Sequence, residues 1–115
     1  MADDRLLRKA FLLRLTPGSL DAYVEHHRTL PQKWPELAAE IARNGIATIT
    51  IFEIDPENLV LFSEIRDEDA WDRFWSTPAH EAWGEVMKPL MHYGDDGRVA
   101  SWPITEVWRH DSMTP

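Results

Sequence analysis

The stretch IATITIFEI at 46–54, followed by NLVLFSEI at 58–65, most narrows what this chain can become. Both runs are rich in β-branched and aromatic residues, and Asp55-Pro56-Glu57 between them is turn chemistry, so together they predict a β-hairpin. Successive side chains of a strand point to opposite faces. Here both parities are apolar: Ile49 and Ile51 against Phe52 and Ile54, then Leu59 and Leu61 against Val60 and Phe62. A sheet that is apolar on both faces needs a cover on both. Helices of the same chain can supply one. The other has no obvious source within the chain, which points to a second subunit and predicts a homodimer.

The remaining segments read as the partners of that hairpin. RKAFLLRL at 8–15 alternates as a first strand, with Phe11, Leu13 and Leu15 on one face and Ala10 and Leu12 on the other. Thr16-Pro17-Gly18-Ser19 is a turn with Ser19 placed as an N-cap. A helix follows with Leu20, Tyr23, Val24 and His27 on one stripe, and Pro31 interrupts it. Pro35 opens a second helical piece with Leu37, Ala38 and Ile41 inward and Asn44-Gly45 as its stop. After the hairpin, a helix from Asp67 turns Trp71, Phe74 and Trp75 inward and breaks at Ser76-Thr77-Pro78. It restarts with Ala79, Trp83, Val86, Met87 and Leu90 inward. GDDGR at 94–98 is a loop, and ITEVW at 104–108 is the expected last strand. The order is β-α-β-β-α-β, an α+β chain of the ferredoxin-like split βαβ type. Residues 1–115 make one domain, with frayed ends expected at 1–6 and 110–115.

Composition excludes several functions. A net charge of −8 and a pI near 5.0 argue against nucleic acid or an anionic membrane as partner. The chain has no cysteine, which removes disulfides and thiolate catalysis and fits a reducing cytoplasm. MADDRLLRKAF is charged where a signal peptide needs an apolar core, and no apolar run reaches membrane-spanning length, so a soluble cytoplasmic protein is expected. Six tryptophans need a core, an interface or a ligand cleft.

Tyr23 and His27, at i and i+4, share one face of the first helix with apolar neighbours. That pairing has the makings of an acid/base group near neutral pKa. It equally describes a core histidine satisfied by a backbone carbonyl. His26 lies about 100° round the helix, on the polar side. Trp34, Trp71, Trp75 and Trp83 raise the question of a sugar, because indole faces pack against the C–H face of a pyranose. Trp71 and Trp75 read as structural, while Trp83 fits either role. Glu53 and Glu64 are either pocket carboxylates or partners of Arg8 and Arg14. Asp67-Glu68-Asp69 reads as a helix start and Asp95-Asp96 as a turn, and no spacing suits a metal. With no phosphate loop and no dinucleotide fingerprint, no cofactor is expected.

Arg8-Lys9-Ala10-Phe11, Pro17, Tyr23, His27, Trp34-Pro35-Glu36-Leu37, Asn58-Leu59, Phe62 and Glu64-Ile65 follow one another at characteristic intervals. Trp71, Ser76-Thr77, Trp83, Met87 and Glu106-Val107 complete the series. In this order and spacing the chain resembles the L-rhamnose mutarotase family along nearly its whole length. The resemblance implies a dimeric α/β barrel in which two four-stranded sheets face each other. It implies interconversion of the α and β anomers of a free 6-deoxyhexose, without a cofactor, by acid/base ring opening. One group protonates the ring oxygen while another takes the anomeric proton. By the same resemblance His27 is the proton donor, and Tyr23, Trp83 and Trp34 hold the monosaccharide. Two positions depart from the pattern: Ile49 stands where the family commonly has a tyrosine, and Gly84 replaces the second of two tryptophans. The segment between His27 and Trp34 is also about three residues longer. L-Rhamnose is the first sugar expected, L-fucose or a related aldose the next. A non-catalytic dimeric α/β-barrel binding or stress-response module, and a cofactor-free monooxygenase, are the readings of other classes.

Overall fold

A computed structural model describes residues 5–113. The elements are β1 (Leu7–Arg14), α1 (Leu20–Arg28), α2 (Leu30–Lys33), α3 (Pro35–Arg43), β2 (Ile46–Asp55), β3 (Asn58–Ile65), α4 (Ala70–Trp75), α5 (Pro78–Met87) and β4 (Ser101–Ile104). The four strands form one antiparallel sheet in the order β2-β3-β1-β4. This is the ferredoxin-like arrangement that the element order predicts.

The hairpin closes as expected. Asp55 Oδ1 accepts from the Glu57 amide at 2.8 Å and from Asn58 Nδ2 at 3.0 Å, so a carboxylate folds the turn on itself. β3 alternates strictly: Leu59, Leu61, Ser63 and Ile65 are buried and the residues between them are half-buried. With Phe11, Leu13 and Leu15 of β1 they build the core against Tyr23, Leu37, Trp71, Phe74, Trp83 and Met87 of the helices. Ser63 earns a place there by bonding. It donates to the Lys9 carbonyl at 2.9 Å and accepts the Trp71 indole N–H at 2.9 Å. Trp71 is therefore structural, as its phase predicts.

The opposite face carries Leu12, aligned with Val60 and Trp102, while Val60 aligns with Phe52. One row across all four strands is thus apolar. Phe52 is 56% exposed and Trp102 44% exposed, and Ile54 and Ile104 are exposed nearby. Arg8 lies over the Phe62 ring and Arg14 over the Trp102 ring, at 4.9 and 5.6 Å.

Four expectations need correction. The last strand is Ser101–Ile104, not 104–108: Pro103 sits opposite Phe11 on an edge strand, where a missing N–H is tolerated. Beyond it the chain leaves the ladder, and the Glu106 side chain pairs with Arg8 instead. Ser19 occupies the N-cap position of α1 but makes no capping bond, because its hydroxyl pairs with Thr16 Oγ1 at 2.6 Å. Val24 is 52% exposed, so the inward stripe of α1 narrows to Leu20, Tyr23 and His27. Neither carboxylate pairs with Arg8 or Arg14: Glu64 accepts from Thr48 Oγ1 at 3.0 Å, and Glu53 lines a shallow pocket beside Tyr23 and His27. Residues 1–4 and 114–115, within the ends expected to fray, lie outside the described residues. Among the described residues no helix is long and apolar enough to cross a membrane.

Candidate active site

A cavity opens between the helices and the sheet, with Tyr23 and His27 of α1 on one side and Ile49 and Ile51 of β2 on another. Helical spacing stacks the Tyr23 and His27 rings at 4.2 Å between centroids. His27 Nδ1 lies 2.8 Å from the Tyr23 carbonyl oxygen. A carbonyl only accepts, so Nδ1 carries the proton and Nε2 of the neutral ring presents its lone pair. A backbone carbonyl thus satisfies one nitrogen, as the core reading expects, and the other nitrogen has no hydrogen-bond partner among the described residues. Burial holds the imidazole below its ordinary pKa. The bond to Tyr23 opposes that shift and nearby His26 adds to it. The ring is neutral at neutral pH. Tyr23 is 3% exposed, and burial, then Tyr93, pushes its phenol well above the usual range. It is a neutral hydroxyl, not a phenolate.

Trp83 of α5 meets His27 edge-on at 5.2 Å and Trp34 edge-on at 5.3 Å. The break around Pro31 does bring Trp34 back towards α1. However, Trp34 stands behind Trp83 as a half-buried buttress and does not line the cavity. His26 approaches Trp83 in a T-shaped arrangement, 6.4 Å between ring centroids, and is half-buried, less solvated than its phase predicts. Ile49 lines the cavity as a plain apolar wall. Gly84 faces a neighbouring surface cleft, and its backbone lies beneath the Tyr93 hydroxyl. Trp75 also lines the cavity, with Arg98 5.9 Å above its ring.

Two polar lining residues, His80 and Tyr93, escape the sequence reading. His80 stands in both the cavity and the cleft, edge-on to Phe74 at 4.9 Å. Burial, then the positive charge of Arg98, brings its pKa down to about 4. Its signal was present: His80, Trp83, Gly84 and Met87 fall at i, i+3, i+4 and i+7 on one stripe of α5. Tyr93 has no such signal, because it lies in a loop where periodicity says nothing. The acidic clusters resolve locally: Asp67 pairs with Arg73 at 2.8 Å, and Asp96 accepts the Arg98 amide at 3.0 Å.

An apolar, aromatic chamber with a few convergent polar groups is the general form of a small-molecule site. This one offers an imidazole lone pair, two hydroxyls and the edge of an indole, a set suited to moving a proton on a polyhydroxy compound. The family model described as L-rhamnose mutarotase matches residues 8–110. An L-rhamnose mutarotase of Oceanobacillus iheyensis is 33% identical over 90% of this chain and 98% of its own length. One from Lachnoclostridium phytofermentans is 32% identical over 92% of this chain and 100% of its own. The crystal structure of an L-rhamnose mutarotase from Formosa agariphila superposes with a TM-score of 0.76 at 27% identity, covering 91% of this chain and 99% of that one. A cofactor-independent oxygenase from Streptomyces nogalater reaches a TM-score of 0.56 at 18% identity, covering 93% of this chain and 98% of its own, a likeness of fold alone. The chain belongs to the L-rhamnose mutarotase family.

Proposed function

We infer that the protein interconverts the α and β anomers of L-rhamnose, an isomerisation at C1 of the free sugar, with His27 as the group that moves the proton. The observation that carries this is the His27 ring, fixed through Nδ1 and bare at Nε2 inside an aromatic box. In the opening step Nε2 takes the proton of the anomeric hydroxyl while the bond from C1 to the ring oxygen breaks. The imidazolium then gives that proton to the ring oxygen, which leaves the open-chain aldehyde and a free hydroxyl. Both oxygens are bonded to C1, so one imidazole can serve both. Rotation about C1–C2 turns the other carbonyl face to that hydroxyl. On closure His27 takes the hydroxyl proton and donates it to the former carbonyl oxygen, which is the donor role the family implies. Tyr23 holds a sugar oxygen as a neutral hydrogen-bond donor, and Trp83 offers an apolar edge to the ring carbons. Nothing in these steps is redox, and the one proton that moves is the sugar's own, carried between its two oxygens by His27.

The open sheet face supports a homodimer, with the row Phe52–Val60–Leu12–Trp102 covered by a second copy. Burial of apolar area is worth roughly 25 cal/mol per Å², which gives two such rows a reason to pair. The cysteine-free chain suits the cytoplasm. Saturation transfer between the anomeric proton signals of L-rhamnose tests the activity. Exchange well above the buffer blank is expected, and exchange equal to the blank would leave only a sugar-binding or other non-catalytic module. L-Fucose belongs in the same panel, because Ile49 and Ile51 leave the β2 wall of the cavity without a hydroxyl to fix the sugar's configuration.

A further inference from the structure

We infer that Tyr93 is a sugar-reading hydroxyl of this site, and that Gly84 is the position whose missing side chain admits it. The inference rests on the mutarotase reading and adds a specificity-determining residue to it. A Cβ built on Gly84 would lie 3.5 Å from Tyr93 Oη, and no other atom falls within 4 Å. The phenol therefore rests against the backbone of α5, one residue from Trp83, and lines the same cavity as His27 and Tyr23.

The loop that carries Tyr93 is tied down by its backbone. His92 donates to the Arg14 carbonyl at 3.1 Å, Ala100 to the His92 carbonyl at 2.9 Å, and Gly94 to the Arg98 carbonyl at 2.8 Å. Tyr93 also bridges to Val99, and Gly97 turns the loop with φ of 80°. So the hydroxyl is positioned without spending its own hydrogen bond. Among the described residues it has no hydrogen-bond partner, and the ring is only half-buried, at the point where the cavity meets the outer cleft. Burial and the carboxylate of Glu85 raise its pKa, so it remains a neutral donor. A tyrosine hydroxyl in an apolar chamber ordinarily finds a partner, and a sugar hydroxyl is the partner this chamber is shaped to bring. The β2 wall, with Ile49 and Ile51, offers no such bond. Polar recognition is thereby concentrated on the side of α1, α5 and this loop.

The test is Tyr93→Phe, which keeps the ring, and Gly84→Leu, whose branched side chain fills the space beneath the phenol. Exchange rates are measured for L-rhamnose and L-fucose, two 6-deoxyhexoses that differ in ring hydroxyl configuration. Tyr93→Phe is expected to lower kcat/KM for L-rhamnose about tenfold and to change the ratio between the sugars, with Tm unchanged. Gly84→Leu should shift the ratio in the same direction, and Tyr93→Phe added to it should change little further. Equal losses on both sugars with a lowered Tm would make Tyr93 a packing residue and overturn the inference, as would wild-type rates and ratio. If the wild-type protein accelerates neither sugar, the mutarotase reading is what fails. Saturation-transfer difference binding of the two sugars then judges Tyr93 separately, with unchanged binding in Tyr93→Phe counting against it.

Discussion

On the helix side of the sheet, Phe11, Leu61 and Ile51 stand in one row across β1, β3 and β2 and pack around the cavity that holds His27. One residue further along the same strands, Leu12, Val60 and Phe52 form the matching row on the other side, and there Phe52 is 56% exposed. The two rows are alike in hydrophobicity and differ in what lies over them. Over the first, α1, α4 and α5 bring titratable and aromatic groups that can act on a ligand. Over the second, arginines at the edges leave a flat apolar surface without an acid or base at its centre. The groups able to act on a ligand lie on the covered face, and the open face is the one proposed to meet a second copy.

The largest effect should come from removing the covered face's reactive group. His27→Ala is expected to slow anomer exchange by roughly 10²-fold or more, with circular dichroism unchanged. A variant that keeps wild-type exchange would dissolve the contrast between the faces. Acid should produce the same loss reversibly. Nε2 must be unprotonated to take the anomeric proton, and the pKa of His27 is lowered by burial. The pH–rate profile should therefore stay level below the ordinary histidine value of about 6.5 and fall only at more acidic pH. Stability follows the same direction. The unfolded chain binds protons at His27 and His80 near pH 6.5, whereas folded His80 waits until about pH 4. Unfolding free energy should be full above pH 6.5 and decline from there towards pH 4, by at most about 1.4 kcal/mol per pH unit for each histidine. A Tm that rises on acidification through that window would contradict this.

How far the sequence could take this comparison depends on what periodicity can see. Dual-parity hydrophobicity at 46–65 marks both faces of the sheet as apolar, which is what the exposed Phe52 and the buried Leu61 show. The family resemblance was what brought Trp83 to the site, while helical phase put Tyr23 and His27 on one face and assigned Trp71 to the core. It misjudged Val24, because a nine-residue helix lying on a sheet buries a narrower stripe than its apolar residues suggest. It misplaced the last strand, because ITEVW alternates while the true strand, SWPI, contains a proline. Tyr93 was out of reach altogether. Its position is set by backbone bonds from a loop to β1 and by the absence of a side chain at Gly84, and neither leaves a pattern in the sequence.

The open face can be broken by charge. Trp102→Glu puts a carboxylate in the row beside Leu12, and sedimentation should show a shift from dimer to monomer. Trp102 lies on the face opposite the cavity, so the exchange rate should fall less than that of His27→Ala. A dimer that survives this change would place the subunit contact elsewhere. Ser63→Ala probes the layer between the faces. It strips the Trp71 indole N–H of its acceptor in the core, which costs about 1–3 kcal/mol and lowers Tm. Exchange at a temperature well below Tm should change less than stability does.

The smallest effect is expected from His26→Ala, and it is the most discriminating control for the covered face. His26 follows directly on the chain before His27, carries the same imidazole and approaches the same indole, at 6.4 Å from Trp83 against 5.2 Å for His27. Mere nearness of a histidine to the aromatic box would make the two nearly interchangeable. The geometry distinguishes them, since only His27 stacks on Tyr23, lines the cavity and has its tautomer fixed by a backbone carbonyl. Removing His26 also removes one of the influences that lower the His27 pKa, and this should move the acid limb of the rate profile slightly upward in pH. Exchange at pH 7.5 should therefore stay within about twofold of wild type, since a surface substitution of this kind is usually worth less than about 0.5 kcal/mol. A loss comparable to that of His27→Ala would mean that proton transfer reaches the sugar from the other side of Trp83, and the orientation of the whole chamber would have to be reversed.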